Sequence, residues 1–104
     1  MAPKRVAIWG AGRLFDTLVV QGGLATSALS ILVDAHLVKY AKERHGYPLS
    51  APEELEQAKP DVIVIMSRGF AEEIAAQAAM LVPKAEIVFY SELLNRAVQM
   101  RKAA

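Results

Sequence analysis

"RVAIWGAGRLF", residues 5–15, decides how the rest of the chain is read. Residues 5–9 read as a strand that is apolar on both faces, as buried parallel strands are. Gly10 and Gly12 follow at the spacing of a dinucleotide-binding turn. Leu14, Phe15, Leu18 and Val19 then recur at helical spacing. A strand that hands over to a helix through a glycine turn is the opening unit of an α/β sheet protein. The third glycine of the fingerprint would stand at position 15, where this chain has Phe15.

Outward from that unit the alternation continues. Gly22 and Gly23 end the first helix, and residues 28–34 read as a second strand. Residues 35–46 are polar and mixed, and read as a long loop with one helical turn. Residues 47–49 read as a short strand that Pro48 assigns to a sheet edge. A short helix opens at Ser50, with Glu53 completing a capping box, and closes before Pro60. Residues 61–67, "DVIVIMS", form the clearest strand: β-branched, continuous and buried. Phe70, Ile74, Ala78 and Leu81 make one apolar helical stripe, which Pro83 stops. "AEIVFY" is a further strand, Ser91 caps a last helix, and "RKAA" reads as a frayed end. The expected fold is a Rossmann-like three-layer α/β sandwich. Its sheet is mainly parallel, with four to five strands and helices on both faces.

Composition narrows the class. The 104 residues amount to one domain, 54% apolar and 22% charged, which suits a folded globule. A net charge of +1 gives no bulk electrostatic case for nucleic acid or an anionic membrane. The absence of cysteine excludes disulfides and thiolate chemistry. No apolar run reaches the ~18 residues of a membrane span, and the N-terminal stretch carries no signal-peptide pattern. A cytoplasmic protein is the default expectation.

Ligands of such sheets bind outside the carboxyl ends of the strands, where strand order reverses. That rule nominates the loop at 10–12, Asp34 and residues 67–69. Gly10 permits the tight turn, Gly12 lets a phosphate approach the backbone, and the helix beyond Ala11 and Gly12 offers N–H groups and a positive dipole end. Arg13 stands where a guanidinium can hold a phosphate. Asp34, 22 residues after Gly12, is placed for ribose hydroxyls or for capping the next turn. Ser67 and Arg68 end the third long strand beside the glycine loop, with Ser67 also a candidate helix cap. The two histidines, His36 and His45, join no metal cluster or catalytic triad by spacing. Lys39, Lys42, Arg44 and His45 make a basic loop, either solvated or covering an anionic ligand. No residue is nominated as catalytic or as a metal ligand.

Taken together, "VAIWGAG", "VDAHLVKYAKERHGYPLSAPEEL" and "PDVIVIMSRGFAEEI" resemble the Rossmann-like C-terminal domain of sugar and polyketide C-methyltransferases. They are also similar to nucleotide-binding domains of polysaccharide-biosynthesis enzymes. Asp34, Lys39, Gly46, Pro48, Pro52, Glu53, Glu54 and Leu55 fit the family pattern, whereas His36 replaces an asparagine and Ala41 a glycine. The resemblance implies an accessory module, excised from or acting beside a methyltransferase that uses S-adenosylmethionine, whose catalytic residues lie in another domain. The expected ligand is a nucleotide, a nucleotide-sugar, NAD or S-adenosylmethionine. Two alternatives stand beside it: the cofactor half of an NAD-dependent oxidoreductase, and a structural domain that binds nothing. An exposed edge strand near Tyr47 or Phe89 would allow pairing with a second copy.

Overall fold

The structure, a computed structural model, describes residues 5–20, 29–67 and 69–90. Six strands and three α-helices are described: β1 (Val6–Trp9), α1 (Arg13–Val20), β2 (Leu29–Val33), β3 (Glu43–Arg44), β4 (Tyr47–Ser50), α2 (Leu55–Ala58), β5 (Val62–Ile65), α3 (Ala71–Leu81) and β6 (Glu86–Phe89). The sheet order is β3-β4-β2-β1-β5-β6. Five strands run parallel, and β3 pairs antiparallel with β4 at one edge.

Central position explains the composition of β1. It lies between β2 and β5, with Ile8 opposite Leu32 on one side and Val64 on the other. Both its faces are therefore covered. Ala7 and Trp9 join Ile31, Val33, Leu55, Ile63, Ile65 and Ala78 in one core layer, closed by α2 and α3. Ile8 joins Ala11, Phe15, Leu32, Leu49, Val64 and Met66 in the opposite layer, beneath α1. Helix, sheet and helices form three layers, consistent with the Rossmann-like sandwich.

Phe15 is fully buried at 0% exposure. The residue that breaks the glycine fingerprint is a core residue, packed in the layer that contains the small Ala11. A glycine at this point lets a helix settle closely on its strand. Here the phenyl ring occupies that space.

Four local expectations need correction. The sheet has six strands, because residues 43–44 form β3 inside the expected loop, after a 3₁₀ turn at Leu37–Lys39. A two-residue turn with both φ values positive, His45 at 52° and Gly46 at 78°, joins β3 to β4. Such turns match the twist of a hairpin. Consequently β4 is interior and not the edge that Pro48 suggests. Pro48 is tolerated because it faces Glu43 in the pair after the turn-closing one, while the ladder to β2 begins only at Leu49.

The cap before α2 sits one residue later than expected. Ala51 is the N-cap of a 3₁₀ turn (Pro52–Glu54), and its N–H donates to Glu54 Oε2 at 2.8 Å. Ser50 belongs to β4, where its carbonyl accepts the Asp34 N–H. Phe70 lies outside α3 and is 64% exposed; Ala71, Ile74 and Leu81 instead pack on the core, with Ala78 buried in it. The expected end of the first helix at Gly22, the helix after Ser91 and the terminal "RKAA" fall outside the described residues.

Candidate functional site

The strand order reverses at β1. The connection from β1 leads to β2 on one side, and the chain later returns to place β5 on the other. The crevice above the carboxyl ends of β1 and β5 is thus the topological switch point. Gly10 and Met66, the residues just beyond those two strands, meet there.

Gly10 adopts φ +117°, a conformation that L side chains rarely take, and a Cβ on it would lie 3.2 Å from Met66 Cβ. Its N–H donates to the Val33 carbonyl at 2.7 Å, holding the turn over β2. Gly10 is therefore required by the turn itself. Gly12 differs: a Cβ there would meet nothing within 4 Å. Its carbonyl accepts the Asp16 N–H, which makes it the entry to α1. The first N–H groups of α1 have no acceptor within the helix and lie at its positive end. Open space and the positive end of the helix coincide at Gly12. Arg13 is exposed at the first position of α1.

Asp34 ties this loop to the next one. Its Oδ2 accepts the Ala11 N–H at 2.9 Å, and its Oδ1 accepts the N–H groups of His36 (2.9 Å) and Leu37 (2.8 Å). The carboxylate thus caps the turn after β2 and braces the glycine loop together. Three of its roughly four acceptor positions are occupied within the protein, which leaves one for a further donor.

Ser67 Oγ accepts the Phe70 N–H at 3.4 Å, a long contact at the approach to α3. Arg68 falls outside the described residues. The structure therefore brings Gly10, Ala11, Gly12, Arg13 and Asp34 into one connected unit and sets Ser67 beyond the neighbouring strand.

Two residues of the basic loop, Arg44 and His45, are paired with a partner that sequence reasoning missed. Asp16, in the first turn of α1, accepts hydrogen bonds from the Arg44 guanidinium and from His45 Nε2, the latter at 2.8 Å. The His45 ring packs 5.9 Å from the buried Phe15 ring. Burial pushes the Asp16 carboxyl up, but the hydrogen bonds from His45 and Arg44 and their charges outweigh it and hold it below the usual value. This cluster fastens the β3–β4 hairpin to α1. Arg44 and His45 are turned to that task, and no spacing rule could have matched them with a residue 28 and 29 positions away. Nearby, Tyr47 donates its hydroxyl to the Leu29 carbonyl at 2.7 Å, and burial raises its phenol above the ordinary value.

A concavity of about 450 Å³ lies at the other end of the sheet, lined by Glu56, Lys59, Asp61, Leu81, Pro83 and Lys84. It borders the amino ends of β5 and β6, where a parallel sheet presents no helix N-termini. Among the described residues no three histidine, aspartate or glutamate side chains are placed to hold a metal ion. No helix among them is long and apolar enough to cross a membrane.

The family of C-methyltransferase C-terminal domains matches residues 1–90. That is most of the chain, and the protein belongs to this family. No curated protein matches the sequence.

Proposed function

We propose that this C-methyltransferase C-terminal domain is a nucleotide-binding accessory module, which holds the diphosphate of a nucleotide or nucleotide-sugar for its associated methyltransferase. Family membership supplies the association with a methyltransferase. The binding role is carried by one observation: Gly12 faces open space at the start of α1, at the switch point of the sheet. A phosphate there takes up backbone N–H groups that the helix leaves free. Arg13 adds a guanidinium suited to a phosphate oxygen. Asp34 keeps the loop in this shape, and its remaining acceptor position suits a ribose hydroxyl. Ser67 follows β5 on the other side of the crevice, where a ligand reaching across β1 would extend.

Methyl transfer itself is assigned to another domain. A hydride-transfer role for an NAD enzyme is disfavoured by Phe15, whose ring holds the space of the third glycine. A domain without ligand has one observation in its favour, because the Ala11 N–H already has a protein acceptor in Asp34.

Calorimetric titration with uridine 5′-diphosphate separates these readings. The Gly12→Val substitution fills space that the protein leaves empty. Binding by the native chain that is lost in this variant, with the melting temperature unchanged, supports the module. No binding by the native chain at millimolar nucleotide leaves the ligand-free domain.

A further inference from the structure

We propose that the exposed Tyr40, beside His36, is the stacking platform for the nucleobase of the bound nucleotide, an inference that rests on the binding role argued above. The loop after β2 carries two aromatic rings on its outer surface. Tyr40 is 76% exposed, and its ring centroid lies 5.3 Å from that of His36, tilted by 58°. A tyrosine left this open in a chain with only seven percent aromatic residues contributes little to the core. Most of its side chain is open to a partner.

Position gives the pair its meaning. The backbone of this loop is held by Asp34: His36 and Leu37 donate to the carboxylate, and Val38 N–H donates to the Asp34 carbonyl at 3.2 Å. Tyr40 N–H in turn donates to the Leu37 carbonyl at 2.9 Å. The same carboxylate holds Ala11 in the glycine loop. One side chain therefore fixes both the open helix start at Gly12 and the aromatic turn. A nucleotide with its phosphates at Gly12 and its ribose at Asp34 directs its base over the turn that follows Asp34. Stacking on an aromatic face is tolerant of base identity, since every base has a π-face. The platform thus supplies affinity, and selection among nucleotides falls to other contacts.

The test compares uridine 5′-diphosphate with inorganic pyrophosphate on the full 104-residue chain by calorimetry. Tyr40→Ala is expected to weaken the nucleotide about tenfold or more and to leave pyrophosphate unchanged. Tyr40→Phe keeps the ring and is expected to restore the native affinity. Met80→Ala, an equally exposed change on α3, is expected to alter neither. Nucleotide affinity that is unchanged in Tyr40→Ala but lost in Gly12→Val overturns the platform and leaves the binding role standing. Equal weakening of nucleotide and pyrophosphate also overturns it, because the effect then bypasses the base. Absence of binding of either probe to the native chain overturns both.

Discussion

The Asp34 carboxylate accepts the backbone N–H of Ala11 at 2.9 Å, across 23 positions of sequence. That contact joins the two loops at the carboxyl end of the sheet into one unit. It also changes what Asp34→Ala measures. Three backbone N–H groups lose their acceptor at once. A loss of about 2 kcal/mol in unfolding free energy is expected from denaturant titration, since hydrogen bonds to charged groups are the stronger ones. Asp34→Asn retains one acceptor oxygen and should cost less. Equal stability of all three proteins would show that the carboxylate does not hold the loops.

The two glycines of the turn should respond in opposite ways. Gly10→Ala places a side chain at φ +117° and within 3.2 Å of Met66, so a loss of roughly 1–3 kcal/mol is expected. Gly12→Ala enters empty space, and thermal denaturation should register little change. Equal destabilisation of both variants would contradict the distinction between a turn glycine and an access glycine.

Phe15 is expected to be among the costliest positions in the chain. Phe15→Ala removes a fully buried ring, a change that typically costs 3–5 kcal/mol. That is a large share of the ~5–15 kcal/mol that holds a domain of this kind together. Phe15→Gly, which completes the glycine fingerprint on paper, should be at least as destabilised. A stable Phe15→Gly protein would mean that α1 can close onto the sheet after all.

Acid should loosen the hairpin. The folded Asp16 carboxyl sits below its ordinary value of 3.8, so its contribution to stability is present above that value. The contribution is lost as pH falls through the lower folded value. Asp16→Asn removes this contribution, and its stability should therefore fall less steeply than that of the native protein below pH 3.8. Parallel acid limbs for the two proteins would show that the Arg44 and His45 contacts do not depend on the charge of Asp16.

The sequence made the sheet legible where burial was complete. β1 and β5 are apolar on both faces because each has a strand on both sides and a helix layer above and below. β3 gave no such signal: Glu43 and Arg44 are two polar residues whose pairing is set by the turn at His45 and Gly46. The cap at Ala51 was readable in principle. Pro52 favours the first helical position, which makes its predecessor the cap, but the Ser50–Glu53 pattern is the more familiar signal. Phe70 shows the limit of periodicity, since a residue in phase with a stripe can still lie before the helix begins. At the site, the glycine spacing and Asp34 were legible because they are local or follow a known separation. The bond from Ala11 to Asp34 and the Asp16 cluster depend on how two loops meet in space, which no local pattern encodes.

Amide chemical-shift mapping with uridine 5′-diphosphate tests the central claim most directly. The account predicts saturable shifts at Gly10, Ala11, Gly12, Arg13 and Leu14, continuing to His36 and Leu37 beyond Asp34. Shifts confined to the opposite end of the sheet, around Lys59 and Lys84, or no shifts at millimolar nucleotide, would contradict it.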